Sequence, residues 1–75
     1  IKIYPNPATE RLNIQTEEKI NSITVFDAKG SLIKNIQDSG ISNGKILDVS
    51  DLITGIYIIK VKTPMSEFTK QFIKK

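Results

Sequence analysis

Four aspartates, Asp27, Asp38, Asp48 and Asp51, are the residues of this chain best suited to holding a metal ion. Calcium takes about six to eight oxygen ligands from a clustered set. Asp48 and Asp51 are close in sequence, but no D-x-D-x-D-G loop surrounds them. Turn and cap roles fit their spacing better. Histidine and cysteine are both absent. That removes the commonest general base, the commonest metal ligand and any thiolate nucleophile. A Ser-His-Asp or Cys-His device cannot be built from this chain alone. The sequence predicts no active site and no cofactor.

What remains is surface chemistry. The net charge is +3 and is unevenly spread: residues 1–59 sum to −1, and Lys60 to Lys75 sum to +4. A basic end suits an acidic partner surface or anionic headgroups, and it also suits an edge strand kept soluble by lysines. The aromatics are Tyr4, Phe26, Tyr57, Phe68 and Phe72, with no tryptophan. They do not alternate with basic residues on one strand as a base-stacking platform requires, so no nucleic-acid partner is expected.

The elements that position these groups are strands. Short runs rich in Ile, Val, Thr, Tyr and Phe are separated by turn residues, and apolar residues do not recur at helical spacing. Arg11 to Thr16 alternates with Leu12 and Ile14 inward. Ile20 to Phe26 places Ile23 and Val25 on one face, then turns at Asp27-Ala28-Lys29-Gly30 into Ser31 to Ile36. Gln37 to Gly44 reads as a loop, with Ile41 as a plug over the core. Lys45 to Val49 is a short strand. Ile56 to Thr63 is the strongest strand, with Tyr57, Ile59 and Val61 on one face. Glu67 to Lys74 is the last, with Phe68 and Phe72 sharing a face. The expected fold is all-β, an Ig-like antiparallel β-sandwich of about seven strands, because long crossovers for parallel pairing are missing. A chain of 75 residues is one domain, of a size that buries only about 60% of its unfolded surface. The longest apolar stretch, Ile56 to Ile59, ends at Lys60, well short of the roughly 18 residues of a transmembrane segment. The sequence starts without Met and shows no apolar signal-peptide region. It reads as a piece excised from the end of a longer precursor.

Three ordered signatures stand out. The first is Tyr4-Pro5-Asn6-Pro7 followed by Leu12-Asn13-Ile14. The second is Asp48-Val49-Ser50-Asp51-Leu52, then Gly55-Ile56-Tyr57. The third is Lys70-Gln71-Phe72-Ile73-Lys74-Lys75. In this order they resemble, over essentially the entire chain, the C-terminal sorting domain of the type IX secretion system of Bacteroidetes-type bacteria. The resemblance implies a compact seven-stranded sandwich at the end of a secreted or cell-surface precursor. It implies an N-terminal cargo domain in the same precursor. Outer-membrane export machinery would read the domain, and a cell-surface sorting peptidase would remove it.

Each candidate recognition residue also has a structural reading. Pro5 and Pro7 fix their own φ and hold Tyr4 and Asn6 extended, shaping a strand end. Gly55 is expected at a φ that a side chain would resist. Tyr57 is expected to bury its ring with its hydroxyl partnered. Lys70, Lys74 and Lys75 are expected as accessible charges that the machinery reads. The alternative function is an Ig-like structural or carbohydrate-binding accessory module of a secreted protein, which would show an exposed coplanar aromatic pair.

Overall fold

The structure, a computed structural model, describes residues 2–17, 19–41 and 44–75. The alternating runs form seven strands: β1 (Lys2–Tyr4), β2 (Arg11–Gln15), β3 (Ile20–Asp27), β4 (Leu32–Ile41), β5 (Gly44–Asp48), β6 (Gly55–Lys62) and β7 (Glu67–Lys74). They make a three-stranded sheet ordered β1-β2-β5 and a four-stranded sheet ordered β4-β3-β6-β7. All strand pairs are antiparallel. The architecture is the expected all-β sandwich. Relative to a constant-type Ig domain, its fourth strand sits beside the third and not beside the fifth.

Period-2 alternation decides which side chains meet between the sheets. Leu12 and Ile14 from β2 and Leu47 from β5 face Ile20, Ile23 and Val25 from β3 and Tyr57, Ile59 and Val61 from β6, all buried in one cluster. Every core residue expected from the alternation lies in it. Ala8, Val49, Leu52 and Phe72 complete it. Burying a Val, Leu, Ile or Phe side chain contributes about 1.5–3 kcal/mol. The stacked Tyr57 and Phe72 rings, with centroids 5.5 Å apart and planes 20° from parallel, fill the end of the core beneath the β6–β7 pair.

One expected loop is different. The stretch from Gln37 to Gly44 is strand at both ends, because β4 continues to Ile41 and β5 starts at Gly44. Ile41 pairs with Ile20 across an irregularity in the β3–β4 register, and that shift lets a polar run stay in the ladder. The side chains of Ile41 and Asp38 lie outside the described residues.

The glycine expectation also needs correcting. Gly55 begins β6, opposite Lys74, in ordinary strand pairing. A methyl group there would meet nothing nearer than the Ile53 carbonyl oxygen, 4.0 Å away. Of Gly30 and Gly55, the glycine that needs its freedom is Gly30, at φ +89° in the β3–β4 turn. Its N–H donates to the Asp27 carbonyl at 3.0 Å, and Asp27 Oδ1 accepts from the backbone of Lys29 and of Ser31, each at 2.9 Å. A side chain in left-handed backbone costs about 1–2 kcal/mol. Gly30→Ala is therefore expected to lower the melting temperature by roughly 4–16 °C, whereas Gly55→Ala stays within a degree or two of the parent. Thermal melts of the two variants check this, and an equal loss from both would overturn it.

Candidate recognition surface

The three signatures, far apart in sequence, converge on the final strand. The chain leaves β1 through Pro5-Asn6-Pro7 and crosses from the edge of one sheet to the edge of the other. Ala8 then forms a parallel bridge with Lys74. Its N–H donates to the Ile73 carbonyl at 2.7 Å, and its carbonyl accepts from the Lys75 N–H at 2.8 Å. Asn6 Oδ1 accepts from the Ile73 N–H at 2.9 Å. On the other side of β7, Gly55 pairs with Lys74 and Tyr57 with Phe72. The end of β7 is thus clamped between the first signature and the second.

Each candidate residue has a distinct place. Pro5 and Pro7 are exposed, and the Tyr4-Pro5 and Asn6-Pro7 peptide bonds are both cis. Asn6 is exposed but engaged through its amide oxygen. Tyr57 is buried, and its hydroxyl donates to the Ile53 carbonyl at 2.6 Å. A tyrosine near the start of the sixth strand, bonding backbone a few residues upstream, is the tyrosine corner of Ig-like sandwiches. It fixes the crossover between β5 and β6, helped by the turn in which the Leu52 N–H donates to the Val49 carbonyl at 3.0 Å. Lys70 and Lys75 are exposed.

Lys74 overturns its expectation. It is 7% exposed, and its ammonium donates to the Lys75 carbonyl at 3.2 Å. Its position alternates with Phe72 onto the inner face, and the bridging Ala8 segment covers it. It is a part of the seam, not an accessible solvating charge. Ala8, fully buried, was not singled out by the sequence reading. A small residue directly after the P-N-P segment is its one local signal.

The seam opens at one end into a shallow groove lined by Lys2, Ile3, Tyr4, Asn6, Lys70 and Gln71. Asp27, Asp48 and Asp51 serve turns and pairs. Asp48 Oδ1 accepts from the Ser50 hydroxyl at 2.6 Å and from its backbone N–H at 2.9 Å. These bonds, the hydroxyl first, hold the Asp48 carboxyl below the usual aspartate range. Asp51 pairs with the Lys34 ammonium at 2.9 Å, joining the β5–β6 crossover to β4, and the bond from Lys34 likewise lowers its carboxyl. Of the aromatics, Tyr57 and Phe72 are spent in the core, and Tyr4 is the one broadly exposed ring.

A family model described as the secretion system C-terminal sorting domain matches residues 2–75. Beta-agarase D of Zobellia galactanivorans is 36% identical over 75 residues, which cover 97% of this chain and 14% of the agarase. The chain therefore corresponds to a small part of that relative. No solved structure matches significantly.

Two measurements check the seam and the turn. Removing the Asn6 acceptor leaves the Ile73 N–H without its partner, so Asn6→Ala is expected to cost about 1 kcal/mol. Asn21→Ala, at an exposed position of β3, is expected to cost almost nothing. Equal melts for the two would remove the clamp argument. The second measurement is acid titration. Asp48 and Asp51 have folded-state pKa values below their unfolded ones. Their stabilisation is fully present above the unfolded value and is lost as pH falls through the folded one. The melting temperature should fall between about pH 5 and about pH 2, and it should fall less steeply in Asp51→Asn. An unchanged acid slope in that variant would show that the Lys34 pair is not coupled to folding.

Proposed function

The chain belongs to the family of secretion system C-terminal sorting domains, and from that premise we propose which of its surfaces the export machinery reads. Membership makes the domain an address for export across the outer membrane to the cell surface or beyond. The work of such a domain is recognition, not catalysis. The reading that residues 1–75 form one sorting domain cut from the end of a longer precursor is part of the proposal. So are the N-terminal cargo, the contact with outer-membrane machinery and the removal by a cell-surface peptidase.

One observation carries the assignment of surfaces: all three signatures meet at the end of β7. Within that meeting point the residues divide into two groups. Asn6, Gly55, Tyr57 and Lys74 hold the seam and the crossover together. Pro5, Pro7, Lys70 and Lys75 present themselves to solvent around it. The second group forms the surface to be read, and the first keeps it in shape. A folded domain is then a precondition of export.

The experiment fuses residues 1–75 to the end of an unrelated, periplasm-directed reporter in a bacterium with type IX secretion. The reporter is expected outside the cell, and in the periplasm when the machinery is deleted. Lys75→Gln removes an exposed charge without touching Lys74, so the domain stays folded while export falls. Full export of that variant would move recognition to Pro5 and Pro7 or to a sheet face. Retention of the intact fusion, in cells that export their own cargo, would defeat the sorting role for this chain.

A further inference from the structure

The outward edge of β7 is only partly occupied. In an antiparallel pair every second residue turns its backbone N–H and C=O away from the partner strand. Ile73 identifies the outward set, because its N–H reaches Asn6 and its carbonyl reaches Ala8, both on the side away from β6. Stepping back by twos puts the backbone groups of Gln71, Thr69 and Glu67 on that same edge. β7 is last in its sheet order, so among the described residues no strand lies beyond this stretch. An open edge of this kind is a template for an added strand.

Two independent features define what such a strand would carry. On the outer face of the four-stranded sheet, the register aligns Leu32, Phe26, Ile58 and Gln71 in one row and Ile56 with Ile73 in the next. Leu32, Ile56 and Ile73 are 61%, 47% and 42% exposed, and Phe26 and Ile58 are half-buried between them. The second row ends at Ile73, where the edge is closed, and the first reaches the open part at Gln71, beside which an apolar side chain on an added strand would lengthen the Phe26–Ile58 row. On the opposite face, the next side chains of that strand would enter the groove that holds Lys2 and Lys70. Among the described residues neither lysine has a carboxylate partner; the ion pairs there are Lys34 with Asp51 and Lys60 with Glu67. Acidic side chains would complement them.

We propose that the open edge of β7, from Glu67 to Gln71, docks an extended strand of the export partner in which acidic and apolar side chains alternate. The partner's identity as an export component rests on the sorting reading above; the edge and the pattern do not. Main-chain bonds to Thr69 and Gln71 supply affinity, and the two faces of the strand supply selectivity.

The test uses the 75-residue chain and two synthetic octapeptides, one alternating Glu and Val and the other alternating Lys and Val. The Glu/Val peptide is expected to shift the amide resonances of Glu67 to Gln71, with affinity that weakens as salt rises. The Lys/Val peptide is expected to bind at least about tenfold more weakly. Thr69→Pro removes an outward N–H while leaving the β6 ladder intact, the one setting in which a strand tolerates proline. It is expected to abolish the shifts. Lys70→Glu leaves the backbone untouched and is expected to weaken the Glu/Val peptide and favour the Lys/Val one, which keeps the test decisive should the proline variant unfold. Shifts elsewhere, no shifts, or indifference to Lys70→Glu would overturn the proposal. So would a dimer of the chain that Thr69→Pro dissolves, since the edge would then be pairing with a second copy. In the reporter assay, export of the intact fusion with undiminished export of folded Thr69→Pro and Lys70→Glu would sink this inference, and Lys70's place in the read surface with it, while leaving the sorting role standing. Failure of the intact fusion would sink the sorting role instead.

Discussion

The pairing of Ala8 with the end of β7 is the contact on which the rest of the molecule depends. Each sheet by itself is a small antiparallel patch with an apolar inner face, and two such faces gain by burying each other. In a chain of this size little surplus stability exists to hold the layers in register. The Pro5-Asn6-Pro7 segment carries the chain from one sheet edge to the other, and three hydrogen bonds, from Ile73 to Asn6, from Ala8 to Ile73 and from Lys75 to Ala8, fasten it there. The crossing closes one side of the sandwich over Phe72 and Lys74. A second tie, from the Tyr57 hydroxyl to Ile53, fixes the crossover between β5 and β6.

That closure also shapes the surface. Because residues 6–8 cover only the final third of β7, the remainder of its edge has no neighbouring strand among the described residues. Because β1 lies across the seam, Lys2 and Lys70 end up on the two sides of one groove. The residues that could be read by a partner and the residues that hold the sheets together are therefore neighbours. A change at the seam alters both folding and recognition, which makes stability controls part of any export measurement on this domain.

The order of the three signatures identified the family at the level of sequence, and period-2 alternation put Leu12, Ile14, Ile23, Val25, Tyr57, Ile59 and Val61 in the core. Both are local properties: alternation follows from the pleat, and a strand with one apolar face has one way to bury it. Tyr57 was equally legible, since a buried phenol needs a partner for its hydroxyl.

Other features were set by long-range pairing. Gln37 to Ile41 looks like a loop from its polar and glycine content, yet it is strand because β3 is beside it to pair with. Gly55 sits where a turn glycine would be expected, but the turn is held by Leu52 and Tyr57, and the left-handed backbone falls at Gly30. Lys74 has the sequence surroundings of an exposed charge and becomes buried only because a segment 66 residues earlier folds against it. Composition and alternation determined which residues face inward; only the tertiary structure decided which edges are closed, because hydrogen bonding between distant backbone segments leaves no period in the sequence of either one.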